Sequence, residues 1–421
     1  LKTVIENGTY KYASLSENGT ETINYKIKAD TTIYIYYSRN TYTVTLEAGN
    51  NITSVTGEGK CKIGASKSIN AIFPSGYFFS QWEIKSGTGK IENLKSASTI
   101  VIPTSNITLK AVALEAIAQI GTKQYDSIQS AINMANNTAQ TTVKVLKSHN
   151  ISYDISNNAN IVLDLAGNTL TISKKSIIKN LNKGILEIKN GTINLNNDVY
   201  IHNNNILILS SKLAISSNSE NEVVRNYGDL VLNGADIQWN PNTTSPAFGA
   251  IVNHGNFTMN SGNITAFGIY NFCLDNRNGG KSYIYNGILD GRNLNTETIV
   301  NNSEGIIIIG KNETSPNIYG PINYDLSGNN YAIENKGTIT IVNGNIYGFS
   351  NTAIFNYKGT LNINGGTILN DSELATIEIR GTGTINITAG TIKNFGKGYD
   401  ISNRGGIINK TGGTQVNIDR W

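Results

Sequence analysis

Short runs of alternating aliphatic and polar residues recur through the last three hundred residues of the chain. Clear examples are AIVNHGNFTMNSGNI at 250–264, AIENKGTITIVNGNI at 332–346 and AIFNYKGTLNINGGTI at 353–368. Each run has a short segment ending in Asn, a glycine, an I-x-I-type segment and a further glycine. Alternation places the aliphatic side chains on one face of a strand and the polar ones on the other. The pattern therefore predicts β-strands separated by tight turns.

These runs repeat at an almost constant interval. The first glycine of each run falls at Gly184, Gly228, Gly255, Gly280, Gly305, Gly337, Gly359, Gly383 and Gly406. The successive differences are 44, 27, 25, 25, 32, 22, 24 and 23, and the first spans two units. One such unit cannot bury its apolar side without neighbours above and below it, so the units must stack. Leucine-rich repeats share the period but need a leucine consensus and a helical segment. The sequence predicts an all-β fold with a parallel β-helix of about 10 to 12 rungs over residues 115–421.

Asparagines mark the end of one strand in most of these units. Asparagine tolerates the left-handed conformation that a sharp turn needs, and its amide can hydrogen-bond to the same residue in the next rung. We predict a structural asparagine ladder made of Asn226, Asn253, Asn276, Asn301, Asn335, Asn356 and Asn403.

One helix is predicted before the rungs, at about 126–136. Ile128, Ala131, Ile132 and Ala135 share one of its faces, and Asp126 or Ser127 is the predicted N-cap. A short amphipathic helix here covers the open end of the first rung and protects it from edge pairing.

Residues 115–421 resemble a known family. The runs QIGTKQYDSIQSAINMANN, VKVLKSHNISYDI and NIVLDLAGNTLTI precede the repeated GTLNINGGTI units. Together they resemble pectate-lyase-like right-handed β-helix proteins, above all the non-catalytic versions in large surface proteins of gut bacteria. The resemblance implies an architecture and leaves the activity open.

The upstream segment 41–114 also carries a resemblance, to the divergent internalin-type B-repeat of bacterial surface proteins. Alternating strands open at Tyr42, Val44 and Leu46, and Phe79 and Trp82 are predicted to fill a small core. Residues 1–40 match the C-terminal part of such a module. The resemblance implies an extracellular, cell-surface protein, and we expect the chain to be part of a longer polypeptide.

Composition excludes several other classes. The chain of 421 residues has 42 glycines, 6 prolines and 15% charged residues, which fits neither a helical nor a disordered protein. The net charge of +4 without a basic run argues against nucleic acid as a partner, and no apolar run is long enough for membrane insertion. Cys61 and Cys273 are predicted to be isolated thiols, and neither a metal nor a cofactor is expected. The abundance of Lys, Asn and Ile favours a low-GC, Gram-positive bacterium.

No cluster of catalytic residues stands out. His149, His202 and His254 are isolated in the sequence and the acids are scattered singly. Glu334 and Glu378 are predicted to lie two rungs apart, about 9.6 Å, near the upper limit for an inverting carboxylate pair. The predicted outward column that contains them is mixed, as a solvated face is: Arg225, Val252, Asp275, Val300, Glu334, Phe355 and Glu378. We nominate no catalytic residue.

Two excursions interrupt the repeat, at 235–248 and 310–331, and they hold four of the six prolines. Recognition residues often lie on such loops of a rigid scaffold. The aromatic residues available to stack on a sugar or to pack on a protein partner are Trp239, Phe248, Tyr319 and Tyr324. The alternative is that these side chains cover apolar residues of the helix surface.

Three functions remain open from the sequence. The first is an extracellular, non-catalytic, adhesin-like or stalk segment of a large cell-surface protein, with a glycan or a host-surface protein as its partner. The second is a polysaccharide lyase or glycoside hydrolase. The third is a purely structural segment of a surface layer or filament.

Overall fold

The structure is a computed structural model in which the chain forms two compact units, Leu1–Ala116 and Ile117–Trp421. It describes residues 8–14, 33–135, 139–173, 176–241, 248–277, 279–322 and 330–420, with the backbone alone for 8–14, 35–38 and 420.

Within residues 8–14 and 33–116, the first unit contains two four-stranded sheets and one strand pair. Trp82 is almost fully buried at its centre, donates its indole N–H to the carbonyl of Ser96 at 3.1 Å, and packs against Phe79. Both aromatics are thus core residues, as the small size of the module led us to expect. One sheet contains Gly59–Lys62, Thr41–Ala48, Ile107–Glu115 and Tyr77–Ser86, and the other Ser54–Thr56, Lys67–Ile72, Ser98–Pro103 and Gly89–Ile91.

Of residues 1–40, the structure describes an antiparallel pair, Gly8–Ser14 with Tyr34–Arg39. Residues 1–7 and 15–32 lie outside the described residues, so the prediction of a partial module at 1–40 stays a prediction.

The second unit is a parallel β-solenoid of the right-handed type with about 11 turns, which confirms the predicted fold class. Each full rung contributes one strand to a 12-stranded sheet, here called sheet A, and two strands, or one long bent strand, to a 21-stranded sheet, here called sheet B. Neighbouring rungs pair in parallel with matching register, for example Asn203 with Asn226 and Asn226 with Asn253. Aliphatic side chains at alternate positions of every strand stack into one continuous core, where most of them are inaccessible to solvent.

The strands of sheet A are Ile155–Asn157, Ile178–Asn180, Ile201–Asn203, Val224–Asn226, Gly249–Asn253, Phe272–Asn276, Ile299–Asn301, Ile333–Asn335, Ile354–Tyr357, Ile377–Arg380, Ile401–Arg404 and Ile418–Arg420. Those of sheet B are Ala118–Ile120, Lys123–Tyr125, Thr141–Val145, His149–Ile151, Asn160–Asp164, Thr169–Ile172, Ile185–Lys189, Gly191–Leu195, Ile206–Ser210, Leu213–Ser217, Asp229–Trp239, Asn256–Gly268, Lys281–Ile284, Ile288–Leu294, Ile306–Ile309, Asn317–Tyr319, Thr338–Ile341, Asn345–Gly348, Thr360–Asn370, Thr384–Asn394 and Ile407–Lys410.

The capping helix spans Ile128–Asn133 and is shorter than the predicted 126–136. Ser127 is the N-cap, since its hydroxyl accepts the backbone N–H of Ser130 at 3.0 Å. The side chain of Gln129 makes the two hydrogen bonds to the first strand of sheet A that the backbone of a neighbouring strand would make. Its side-chain amide accepts the N–H of Ser156 at 2.7 Å and donates to the carbonyl of the same residue at 3.1 Å. The helix thereby satisfies one backbone position at the edge of sheet A.

The asparagines at the strand ends of sheet A form a buried ladder. Each side-chain amide donates to the amide oxygen of the asparagine in the next rung, at 2.7 to 3.0 Å. The amides also bond backbone carbonyls at the turns, so they satisfy groups that would otherwise be buried without a partner. The ladder consists of Asn157, Asn180, Asn203, Asn226, Asn253, Asn276, Asn301, Asn335 and Asn356.

The ladder differs from our prediction at both ends. Asn403 does not join it, because Ile379 occupies the ladder position of the rung between Asn356 and Asn403. The amide of Asn403 instead bonds within its own turn, to Gly406. Asn157, Asn180 and Asn203 were missed, although they are spaced by 23 residues and a search for that interval would have found them.

The glycines that follow the ladder are required by close packing. A Cβ at Gly280 would lie 2.5 Å from the carbonyl oxygen of Asn253 in the preceding rung and 2.8 Å from the amide oxygen of Asn276. The turn therefore passes so close to the ladder that no side chain fits.

Candidate binding surface

Trp239, predicted as a recognition residue, is instead a core residue. Its side chain is inaccessible to solvent and its indole N–H donates to the carbonyl of Ser219 at 3.0 Å. Ser217 and Ala266 occupy the same register position in the adjacent rungs, and these small residues leave space for the indole.

The other residues of the first excursion give no exposed aromatic platform. Phe248 is half-buried and packs against the solenoid core, so it too covers apolar residues. Residues 242–247 lie outside the described residues, and so does Tyr324 of the second excursion.

Tyr319 lies on an outward column of sheet B with its ring enclosed by neighbours. It stacks on Tyr347 of the next rung with centroids 5.1 Å apart, and the guanidinium of Arg292 lies 4.8 Å from its centroid. Asp290 accepts two hydrogen bonds from Arg292, at 2.9 and 2.7 Å, and these hold the pKa of Asp290 below its usual value. Because Tyr319 already has stacking partners, it offers a poor platform for a sugar ring.

The outer face of sheet A carries side chains that vary from rung to rung. We call this surface the charged face and define it by two parallel columns that run along the solenoid. The first column is Arg225, Val252, Asp275, Val300, Glu334, Phe355, Glu378 and Ser402, in strand register. The second lies two residues further along each strand or turn: Tyr227, His254, Arg277, Asn302, Lys336, Tyr357, Arg380 and Arg404.

Acids of the first column form ion pairs with bases of the second within the same rung. Asp275 pairs with Arg277 at 2.7 Å. The corresponding pairs are Glu334 with Lys336 at 2.9 Å and Glu378 with Arg380 at 2.6 Å. These pairs were not predicted from the sequence, although the triplets DNR, ENK and EIR all occupy the same position in the repeat.

In these pairs the acidic side chains are largely buried, whereas the basic side chains are partly exposed. The side chain of Asp275 is 5% exposed, against 36% for that of Arg277. Glu378 and Arg380 differ in the same way, at 12% and 48%. Each of the two guanidinium groups donates its Nε to its acid, and within the described residues its terminal nitrogens have no protein acceptor. The solvent therefore meets oriented cationic donors.

Aromatic rings interleave with the charges. Phe355 stacks on Tyr331 with centroids 4.7 Å apart, and the guanidinium of Arg380 lies 5.4 Å from the centroid of Phe355. Burial raises the pKa of Tyr331 to about 12. These contacts fix the position of the Arg380 side chain.

Two histidines that are far apart in the sequence contact the same tyrosine of this face. His254 stacks on Tyr227 at 4.7 Å, and His202 contacts the same tyrosine at 5.5 Å. The expectation of isolated histidines is therefore wrong for these two, because Tyr227 lies on the rung between theirs and contacts both rings. Burial lowers the pKa of each imidazole, so both rings are neutral at pH 7.

Glu297 is the most perturbed carboxyl group of this region. It is 6% exposed, and burial raises its pKa to about 7, with a smaller contribution from the charge of Glu334. It is thus a carboxyl group that exchanges its proton near neutral pH.

Other kinds of site are not found in the described part of the chain. There, no group of three or more His, Cys, Asp or Glu residues could hold a metal ion. No helix within the described ranges is long and apolar enough to cross a membrane. Cys61 and Cys273 are both buried free thiols, and burial raises the pKa of Cys273.

In this chain a small β-sheet module precedes a β-solenoid, and this combination defines the class of protein to which it belongs. Residues 42–112 match the family model of the divergent InlB B-repeat domain, which confirms the predicted resemblance for that segment. A B-repeat domain followed by a β-solenoid indicates a surface-type protein. No curated protein and no solved structure matches the chain.

Proposed function

We propose that this chain is an extracellular, non-catalytic, adhesin-like segment of a large cell-surface protein of a Gram-positive bacterium, and that its charged face binds a glycan. The pectate-lyase-like solenoid serves as a rigid scaffold for that face. The B-repeat domain supports a location on the cell surface.

The observation that carries this proposal is the row of oriented cations on the charged face. The repeated residues of the solenoid have structural roles in the core, the ladder and the turns. The ion pairs and stacked rings of the charged face vary from rung to rung instead. Planar guanidinium groups with free terminal nitrogens bind carboxylate and hydroxyl oxygens of a ligand well.

A glycan-array screen of the chain tests the proposal, with host-surface proteins included on the array. We expect binding to at least one glycan, and we expect the combined change Arg277→Ala, Lys336→Ala and Arg380→Ala to weaken it at least about tenfold, since each residue supplies a charge-assisted contact. Arg292→Ala is the matched control, because Arg292 follows an acid by two residues as Arg277 does but lies on sheet B. Absence of binding to every glycan, or equal binding by the triple variant, would reject the proposal.

A carbohydrate-active enzyme is the second candidate, and Glu297 is the observation that favours it. A carboxyl group with a pKa of about 7 can act as a general acid at neutral pH, and Glu334, whose charge contributes to that shift, would be the second carboxyl group of the pair. Cleavage of a polysaccharide by the native chain and its loss in Glu297→Gln would support the enzyme over the adhesin.

A further inference from the structure

Two guanidinium groups of the charged face share one carboxylate. Arg380 and Arg404 occupy the same register position in adjacent rungs, whose strands lie about 4.8 Å apart. Their Nε atoms lie 2.6 and 3.6 Å from the same oxygen, Oε1 of Glu378. Asp275 and Glu334, by contrast, each pair with one base within the described residues. The carboxylate of Glu378 therefore balances only one of the two guanidinium charges.

A third cation, Lys358, lies beside this pair. Its backbone N–H donates to the carbonyl of Arg380 at 3.2 Å. Its aliphatic stem lies over Gly381 of the next rung, where an added Cβ would be 3.2 Å from Cγ and 3.6 Å from Cε of the lysine. Its ammonium lies 5.0 Å from the ring centroid of Tyr357. Lys358 thus extends the cationic surface by one rung.

Aromatic rings hold these cations in place. The guanidinium of Arg380 lies 5.4 Å from the ring centroid of Phe355. Phe355 stacks on Tyr331 and on Tyr357, with centroids 4.7 and 6.1 Å apart. A side chain that is already fixed loses less conformational entropy when a ligand binds. The cluster is therefore partly organised before it meets an anion.

The surface above the cations is open and positively charged. The side chains of Arg380 and Arg404 are 48% and 53% exposed, and within the described residues their terminal nitrogens have no protein acceptor. The residues that follow them, Gly381 and Gly405, are exposed and add no side chain that could cover them.

The local charges leave an excess of one cation. The acids of the first column in these rungs are Glu378 and Asp419, and Asp419 follows Ser402 in register and is half-buried. These two acids stand against three cations, Lys358, Arg380 and Arg404.

Two adjacent guanidinium groups favour a tetrahedral anion. A carboxylate has two oxygens in one plane and matches the planar fork of a single arginine. A phosphate ester has three terminal oxygens around a tetrahedral atom and about −1.5 to −2 charges at pH 7, so it can accept from two forks at once. A sulfate ester has the same arrangement of oxygens with a lower charge.

We infer that Lys358, Arg380 and Arg404 bind a phosphate or sulfate group of a glycan, and that this group anchors the glycan to the charged face. This inference rests on the proposed function and specifies the chemical class of the ligand.

Isothermal titration calorimetry of the full chain tests the ligand class with four probes that share one sugar ring: glucose 6-phosphate, glucose 6-sulfate, glucuronate and glucose. We expect at least one ester to bind at least about tenfold more tightly than glucuronate, and glucose to bind more weakly still. Tighter binding of the phosphate ester would identify a phosphorylated ligand, and tighter binding of the sulfate ester a sulfated one. If glucuronate binds as tightly as both esters, the inference is overturned.

Arg404→Ala tests the shared site, because it removes one cation and leaves Glu378 paired with Arg380. We expect it to lower the affinity for the preferred ester by about tenfold and to leave that for glucuronate unchanged. Arg404→Lys keeps the charge without the planar fork and should restore only part of the affinity. Unchanged affinity for the ester in Arg404→Ala would contradict the inference.

Lys397→Ala is the matched control. It also removes an exposed cation that pairs with a glutamate, but Lys397 lies outside the charged face. It should leave the affinity for every probe unchanged, and an equal loss in both alanine variants would show that the site is not at Arg404. Circular dichroism and thermal unfolding verify that each variant is folded.

The glycan array separates the inference from the proposed function. Array ligands without phosphate or sulfate that bind equally well to Arg404→Ala, but lose affinity in the triple variant, would overturn the inference and leave the proposed function intact. Failure of every glycan on the array and of both esters would remove both.

Discussion

At the scale of single residues, burial decides the role of a side chain more than its chemical type does. Trp239 is a candidate ligand platform by type and a core residue by position. The alternation Ile237-Gln238-Trp239 places it inward with Ile237, and small residues above and below it complete the site. The chemical type of Arg277 does not distinguish it from other surface cations. Its side chain has a fixed geometry because it pairs with the buried carboxylate of Asp275.

Glu297 gives the molecule a pH-dependent stability. Its folded pKa of about 7 lies above the ordinary value of 4.5, so the folded protein holds this proton more tightly than the unfolded chain. The stability associated with Glu297 is complete below about pH 4.5 and is lost as the pH rises through about 7, with a maximum loss of about 3 kcal/mol.

Glu297→Gln removes this titration. Relative to the native protein, we expect no change in the free energy of unfolding at about pH 4 and an increase of up to about 3 kcal/mol at about pH 8. Denaturant unfolding at both pH values measures it. Glu373→Gln is the control, because the side chain of Glu373 is largely exposed. A similar gain from both changes would show that burial of Glu297 is not the cause.

At the scale of the element, the ladder makes each turn of sheet A depend on its neighbours. The amide of Asn276 donates to Asn301 at 2.8 Å and its oxygen accepts from Asn253 at 2.9 Å. Loss of one member therefore leaves polar groups of two rungs buried without a partner. Where Ile379 interrupts the ladder, the amides of Asn356 and Asn403 bond turn and strand carbonyls instead.

We expect Asn276→Ala to lower the free energy of unfolding by about 2 to 4 kcal/mol, because it combines lost hydrogen bonds with unsatisfied buried groups. Asn409→Ala is the matched control. Asn409 also donates to an asparagine of the adjacent rung, at 2.9 Å, but in an exposed position. Denaturant midpoints of the two variants give the comparison, and equal losses would show that burial does not control the strength of such a ladder.

At the scale of the whole molecule, a solenoid must protect the ends of its sheets. The helix Ile128–Asn133 covers the core of the first rung with Ile128, Ala131 and Ile132, and Gln129 pairs with Ser156 at the edge of sheet A.

Gln129→Ala should leave the helix docked through its buried residues and free the backbone of Ser156. We expect faster hydrogen exchange at the Ser156 amide and a greater tendency to aggregate, since an unpaired strand edge recruits other chains. Exchange mass spectrometry and light scattering measure these effects. Gln238→Ala, at an exposed outward position of sheet B, is the control. If exchange at Ser156 stays unchanged, the amide pairing does not protect the edge.

The sequence by itself determined the solenoid, because stacking requires the same aliphatic, asparagine and glycine positions in every rung. The resemblance of the upstream segment to the divergent B-repeat was also recognisable in the sequence, and the family match at residues 42–112 confirms it. The sequence also located six of the nine ladder asparagines.

Only the tertiary structure decided which irregular residues meet. Excursions of different length separate neighbouring rungs, so Asn301 and Asn335 pair across 34 residues and Asn335 and Asn356 across 21. Contacts between rungs depend on spatial register, and intervals in the sequence do not fix that register where a rung carries an insertion. For this reason His202 and His254 could be brought to one tyrosine, and three distant acid–base triplets could be aligned on one face, only by the stacked structure.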